Sequence, residues 1–195
     1  MMILQGLTKL RQIANHPILD DENYEGDSGK METIIEMLVG AIQENHKILI
    51  FSQFVKHLRL IRNYLDDQKI PYAYLDGSTS NRQEQVEKFQ KDSSINLFLI
   101  SLKAGGVGLN LTKADYVFIL DPWWNPAAEA QAIDRTHRIG QVNKVFAYKF
   151  VARDTVEEKI LALQQRKLKL SQDLIKTEES FMKSLTKEDL EFILS

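Results

Sequence analysis

The run Lys47-Ile48-Leu49-Ile50-Phe51-Ser52 decides the fold class. It is apolar without alternation, as expected of a strand buried on both faces of a sheet. Before it, Met31, Ile34, Ile35, Leu38 and Ile42 recur at helical spacing, and after it Phe54, Leu58, Ile61 and Leu65 do the same. Further strands are expected at Tyr72–Leu75, Asn96–Ser101, Tyr116–Asp121 and Val145–Val151. A helix over Ser80–Lys91 is expected to open on the capping pair Ser80 and Gln83. Another runs from Asn125 as N-cap, with Pro126 in its first turn, to Ile139. Strand and helix alternate, which predicts an α/β domain whose parallel sheet of about five strands is covered by helices on both faces.

Outward from this unit the pattern changes twice. Ile3, Leu7, Leu10 and Ala14 mark a lead-in helix that ends at His16-Pro17, and the acidic, turn-rich stretch Asp20–Gly29 reads as a linker. After Arg153, Thr155-Val156-Glu157-Glu158 forms a capping box. It opens a long helix with Val156, Ile160, Leu163, Leu170 and Leu174 on one side. That helix is acidic in its first turn and basic later, as the macrodipole favours. A short amphipathic helix follows within Thr186–Leu194. The expected division is 1–29 (lead-in and linker), 30–153 (sheet unit) and 154–195 (helical C-terminal brace).

The whole chain has 195 residues, of which 44% are hydrophobic and 27% charged, with a net charge of −2. That is ordinary globular composition with enough apolar mass for a core. No apolar run approaches the ~18 residues of a membrane span, and the opening residues do not read as a signal peptide. Cysteine is absent, which excludes disulfides and thiolate metal sites. No two of His16, His46, His57 and His137 sit at metal-ligand spacing. His46 and His57 read as solvated helix residues and His16 as a turn residue. A pI near 6.1 means that any nucleic-acid contact is local rather than spread over the surface.

In open parallel sheets, ligands bind beyond the carboxyl ends of the strands. That places candidate chemistry at Ser52-Gln53-Phe54, Asp76-Gly77-Ser78-Thr79, Ser101–Asn110 and Asp121-Pro122-Trp123-Trp124-Asn125. Hydroxyls, glycines and close backbone amides are what phosphate oxygens need. Each segment also has a plainer reading. Asp76-Gly77-Ser78 is a common strand-to-helix turn, and Gly105-Gly106-Val107-Gly108 lacks dinucleotide-fingerprint spacing and could be a loop. Either tryptophan could be a core anchor. The side chains of adjacent residues diverge, however, so one of the pair is expected at the surface. Arg135 and Arg138 share a helix face. Asp134 could pair with Arg138, worth ~0.3–0.5 kcal/mol, but that leaves Arg135 unexplained. Two guanidiniums beside the ligand edge suit a polyphosphate. The basic face of the long helix, from Arg166 onward, could be solvated or could touch DNA backbone.

The chain contains no G-x-x-x-x-G-K-[ST] phosphate loop and no Asp-Glu strand end for Mg²⁺. Arginines that seek phosphate without a phosphate loop read as half of an active site.

Several of these segments, in order, carry a resemblance. They are Leu10-Arg11-Gln12-Ile13-Ala14-Asn15-His16-Pro17, Ile48–Phe54, Leu75–Thr79, Ser101–Thr112, Asp121–Pro126 and Gln131-Ala132-Ile133-Asp134-Arg135-Thr136-His137-Arg138-Ile139-Gly140-Gln141. Together they resemble the second RecA-like lobe of Swi/Snf-family DNA-translocating ATPases, in helicase superfamily two. The resemblance covers the chain from about Leu10 to about Leu174 and implies a RecA-like three-layer domain. It implies further that ATP and Mg²⁺ are held mainly by an N-terminal RecA-like lobe. Arg138 would be the arginine finger on the γ-phosphate, with Arg135 its neighbour, and Gly106 and Gly108 would bring backbone close to the nucleotide. Ser52, Gln53, Ser78, Ser101 and Lys103 would line a track for one strand of double-stranded DNA, and Trp124 would reach into the DNA groove. A monomer with no membrane association is expected, nuclear in a eukaryote and cytoplasmic or nucleoid-associated in a prokaryote. The Asp-Pro-Trp-Trp form departs from the Asp-x-Asp-Trp commoner in eukaryotic remodellers and points to another subgroup.

Other readings are separable. A DNA- or protein-gripping module without ATPase function would not need Arg135 and Arg138 on a cleft-facing helix. An RNA helicase lobe would carry Gly-Arg-x-Gly-Arg where this chain has Asp134-Arg135-Thr136-His137-Arg138. A Rossmann dehydrogenase is excluded by the missing glycine fingerprint.

Overall fold

Strand β1 (Ile48–Ser52) is buried along its whole length and stands at the centre of a sheet. Its neighbours are β3 (Leu97–Ser101) on one side and β4 (Tyr116–Ile119) on the other. β2 (Tyr72–Leu75) lies outside β3, and β5 (Phe146–Lys149) outside β4. All pairings are parallel. The register sets Ile48 opposite both Leu97 and Tyr116, and Ser52 opposite Ser101. The carboxyl ends of the strands therefore share one edge. The computed structural model describes residues 2–105, 109, 111–134, 144–170 and 185–194.

The two-residue period of the strands sorts the core into two halves. Ile48, Ile50, Leu97, Leu99 and Phe118 face helices α2 (Gly29–Gln43) and α3 (Val55–Asp67), where they meet Ile34, Leu38, Leu58, Ile61 and Leu65. Leu49, Phe51, Phe98, Ile100, Val117 and Ile119 face the opposite way. They pack on Val86 and Phe89 of α4 (Arg82–Lys91) and on Ala132 of α6 (Pro126–Asp134), the short α5 (Leu102–Gly105) lying between those two helices in the chain. Each fully buried Leu, Ile or Phe contributes about 1.5–3 kcal/mol relative to exposure, which is why uninterrupted apolar runs specify this sheet. The expected three-layer α/β architecture with five parallel strands is the observed one.

A third cluster lies off the sheet. Leu7 of α1 (Met2–Asn15), Val156, Ile160 and Leu163 of α7 (Val156–Leu170) and Ile193 of α8 (Lys187–Leu194) bury one another together with Trp124. The first turn of α7 is capped by Thr155, as expected, and that of α8 by Thr186. Thr155 Oγ1 accepts from the Glu157 amide at 3.2 Å. Thr186 Oγ1 accepts from the Asp189 amide at 3.2 Å, while Asp189 Oδ2 takes the Thr186 amide at 2.9 Å.

Three local expectations are corrected. α4 opens at Arg82, preceded by Asn81, rather than on a Ser80–Gln83 pair. Ser78 and Thr79 hydrogen-bond back to Asp76 in a closed turn, so the backbone enters the helix only after Ser80. His57 is not solvated. It is fully buried on α3, and neither ring nitrogen has a hydrogen-bond partner among the described residues. Burial, reinforced by the charges of Lys30 and His16, pushes its pKa down to about 3. His46 is half-buried at the opposite end of the sheet, with Nδ1 2.7 Å from Asp115 Oδ2 and Nε2 3.3 Å from Glu44 Oε2. His16, in contrast, is the expected turn residue, its Nδ1 accepting from the Ile18 amide at 3.2 Å.

Candidate functional site

At the carboxyl edge the loops after β1 and β4 lie side by side, and Asp121 joins them. Its carboxylate is inaccessible to solvent and accepts the Ser52 hydroxyl on Oδ2 and the Gln53 amide on Oδ1, the latter at 3.1 Å. Burial raises the Asp121 pKa, and this is opposed by the charge of Arg11, the hydrogen bond from Ser52 and the charge of Lys30.

The six residues assigned to a DNA track or groove fall into two groups. Gln53 is half-buried, and Ser78 and Lys103 are exposed. Gln53 Nε2 leans on the Pro122 carbonyl at 3.3 Å, and Lys103 stands exposed on α5. Ser78 is exposed at the turn after β2, where its amide and hydroxyl donate to Asp76 Oδ1 at 2.9 and 2.6 Å. Burial acts to raise the Asp76 pKa, but these bonds, with others from Tyr74 and Thr79, outweigh it and leave the carboxyl below its ordinary value. Ser52, Ser101 and Trp124 are buried. The Ser52 oxygen also accepts from the Phe54 amide at 3.0 Å, and Ser101 Oγ from the Ala104 amide at 3.4 Å. Both hydroxyls cap the turns that follow β1 and β3 from inside the edge.

The tryptophans correct a second expectation. Neither is at the surface: Trp123 is 1% and Trp124 2% exposed. Their side chains do diverge, but each direction is covered. Trp123 packs edge-on to Phe51 in the sheet core at 6.1 Å, and Trp124 enters the cluster built by α1, α7 and α8. The second core was not visible from the loop's own sequence. In this arrangement Trp124 is a buried anchor of the third cluster.

Helix α6 begins as expected, with Asn125 Oδ1 accepting from the Ala127 amide at 3.0 Å. Gly106, Gly108, Arg135 and Arg138 lie outside the described residues. Gly105, just before that loop, is buried. A Cβ there would approach Ile100 Cγ2 at 3.3 Å and Phe51 Cε1 at 3.4 Å, so the chain leaves β3 hard against the core.

Beneath the edge is a polar network that the sequence did not announce. Arg11 Nη2 donates to the Pro122 carbonyl at 2.8 Å. Its guanidinium lies 5.3 Å from the centre of the Phe54 ring and 5.1 Å from that of Trp124. Lys30 Nζ reaches Glu157 and Asn15 Oδ1, each at 2.7 Å, and Glu157 Oε2 takes the Ala152 amide at 2.8 Å. Burial moves Lys30 down and Glu157 up, and their ion pair opposes both shifts. On the other side of Trp123, Glu129 Oε1 accepts its amide at 2.7 Å, Gln164 donates to its carbonyl, and Lys149 pairs with Glu129. Arg11 and Asn15 belong to the Leu10–Pro17 segment already singled out, yet nothing local marks them as buried charge partners. No group of three or more His, Cys, Asp or Glu among the described residues is placed to hold a metal ion.

Comparison with known proteins agrees with this architecture. Residues 29–140 match the family described as helicase conserved C-terminal domain. The Sulfolobus solfataricus SWI2/SNF2 ATPase C-terminal domain superposes with a TM-score of 0.77 at 36% identity, over 98% of this chain and 80% of that one. This chain belongs to the helicase C-terminal domains of the SWI2/SNF2-family ATPases. The Sulfolobus solfataricus SWI2/SNF2 ATPase core in complex with dsDNA gives a TM-score of 0.80 at 37% identity, over 98% of this chain and 41% of that one. The uncharacterized ATP-dependent helicase MG018 of Mycoplasma genitalium is 36% identical over 190 residues. These are 96% of this chain, which spans only 18% of that relative's length. The resemblance read from the motifs is thus a family membership, and the RecA-like lobe it implied is the lobe observed. No helix among the described residues of this SWI2/SNF2 domain is long and apolar enough to cross a membrane.

Proposed function

We propose that this SWI2/SNF2 C-terminal domain is the second motor lobe of a double-stranded-DNA-dependent ATPase and translocase. One observation carries the reading: half-buried Gln53 and exposed Ser78 and Lys103 stand at the carboxyl edge of a parallel sheet, on three successive strand ends. The Gln53 side-chain amide and the Lys103 ammonium so placed can hold backbone phosphates, and the Ser78 hydroxyl can do so once it turns from Asp76. Phosphates carry no sequence information, so binding is sequence-tolerant and salt-sensitive. The Ser52 hydroxyl serves the same track indirectly, by fixing the Asp121 carboxylate that holds the Gln53 backbone.

The residues present do not by themselves make a nucleotide site, since the sequence has no phosphate loop and no Mg²⁺-binding acid pair. ATP and Mg²⁺ are assigned mainly to an N-terminal RecA-like lobe. Arg138 and Arg135 are the catalytic residues this chain would add to it, and Gly106 and Gly108 the backbone approach. A guanidinium there stabilises negative charge developing on the transferring phosphoryl group. The functional division follows: 1–29 leads in, 30–153 forms the lobe, and 154–195 braces it. Alone, the chain binds DNA weakly as a monomer and turns over no ATP.

The deciding experiment is DNA-stimulated ATP hydrolysis by the two-lobe polypeptide carrying Arg138→Ala. A loss of about a thousandfold with nucleotide binding retained is expected. An unchanged rate removes Arg138 from catalysis and leaves a DNA-gripping module.

A further inference from the structure

Arg11 is one of two charged residues on α1, and it is the buried one: 2% exposed, against 66% for the Lys9 side chain. Its guanidinium spans two loops that are distant in sequence. Phe54, whose ring it approaches, follows Gln53 in the loop after β1. Trp124, whose ring it also approaches, and Pro122, whose carbonyl it bonds, belong to the loop after β4. A planar, permanently charged fork that both stacks on rings and donates in its plane is suited to such a position, and a lysine is not.

Gln53 belongs to the first of these loops and is held to the second at two points. Its amide donates to Asp121 Oδ1 at 3.1 Å, and its side-chain Nε2 to the Pro122 carbonyl at 3.3 Å, the oxygen that Arg11 also uses. The positive charge of Arg11 also acts on the buried Asp121 carboxylate, against the burial that would neutralise it. Arg11 thus bonds one of the two groups that hold Gln53 and acts through its charge on the other. α1 itself is tied down from behind, where Asn15 accepts Lys30 Nζ at 2.7 Å and its carbonyl accepts the Ser28 hydroxyl at 3.0 Å.

We propose that Arg11 is a positioning residue for DNA binding: by clamping the loops after β1 and β4 together, it places the Gln53 side chain for a phosphate of duplex DNA. The lead-in helix, which adds no strand or layer to the sheet unit, thereby sets the geometry of the edge. This rests on the reading of that edge as a DNA track.

The test uses the full chain, a fluorescein-labelled duplex of mixed sequence, and the variants Arg11→Met, Gln53→Ala and their double. Each single variant is expected to weaken binding about fivefold, and the double no more than the weaker-binding single, because the two act through one contact. Amide exchange gives a readout without DNA. In folded Arg11→Met the Gln53 amide should exchange about tenfold faster while the Leu49 amide in mid-β1 is unchanged, since only the local opening is altered. Additive losses in the double variant, or unaltered exchange at Gln53, overturn the proposal. If Gln53→Ala alone leaves the affinity intact, it is the DNA-track reading that fails, and the exchange result still reports whether Arg11 holds the loop. Should Arg11→Met not fold, Arg11→Lys keeps the charge without the fork and is expected to show the same exchange change in smaller measure. Failure of both to fold assigns Arg11 to the core and overturns the proposal.

Discussion

Lys30 and Glu157 form a buried ion pair, Nζ to Oε1 at 2.7 Å, between residues 127 positions apart. Their side chains are 5% and 0% exposed, so each charge depends on the other. The pair joins the first turn of α2 to the first turn of α7 and, through Asn15, to the end of α1. It sits where two of the helices outside the sheet unit, α1 and α7, meet it.

Removing one partner should be costly. Lys30→Met leaves Glu157 buried with an uncompensated charge and is expected to destabilise the chain by about 3–5 kcal/mol, measured by urea unfolding. Lys30→Met with Glu157→Leu should recover much of that, because two apolar groups need no compensation. A double variant no better than the single would show that the bonds to Asn15 and Ala152 matter more than the charges.

His57 predicts an acid-sensitive stability. Its folded pKa of about 3 lies below the ordinary value of 6.5, so the unfolded chain binds the proton first as pH falls. The stability it confers is complete above pH 6.5 and is lost as pH drops toward 3, by about 1.4 kcal/mol per pH unit. Asp121 and Glu157, raised by burial, act with the opposite sign, so the effect is read as a difference between variants. His57→Leu should flatten the decline of unfolding free energy between pH 6 and 4 relative to the unaltered chain. Parallel curves would mean that the imidazole is hydrated.

Trp124→Ala should act on folding before it acts on DNA. Its ring is enclosed by Leu7, Val156, Ile160 and Leu163, and truncating such an aromatic costs about 3–5 kcal/mol. Calorimetry should show a lowered Tm. Unchanged stability with lost DNA affinity would restore the groove contact that the sequence first implied.

Lys103→Ala should leave stability unaltered, since the side chain is exposed, and should weaken duplex binding. The slope of log affinity against log salt should fall by ~0.9, the value for one phosphate contact. An unchanged slope removes Lys103 from the track. Ser52→Ala, in contrast, should cost about 1–3 kcal/mol of stability by leaving a buried Asp121 oxygen short of a donor.

Much of this was legible before any fold was seen. The strands appear within two residues of where the apolar runs placed them, and Asn125 caps its helix as its type and the following proline required. Apolar periodicity records how an element is buried, and a cap is completed within one turn. The errors have the opposite character. His57 read as solvated because it lies on a helix of polar composition, and the sheet and helices that enclose it are contributed by distant segments. Ser52 and Ser101 stand at the strand ends as expected, but both are buried and accept amides of their own loops. A hydroxyl at a strand end can point out to a phosphate or back to cap its own loop, and residue type is the same in both cases.

The sequence by itself determined the layered α/β lobe, the shared edge of its strand ends and its membership among SWI2/SNF2 helicase C-terminal domains. Tertiary structure alone decided which residues of that edge are open and which are sealed. It also decided that Arg11, Lys30 and Glu157 hold the edge from behind. Periodicity and motif spacing are local properties of the chain. A buried charge is tolerated only by its partner, and partners 127 positions apart are brought together by sheet order and helix packing, which no window of sequence contains.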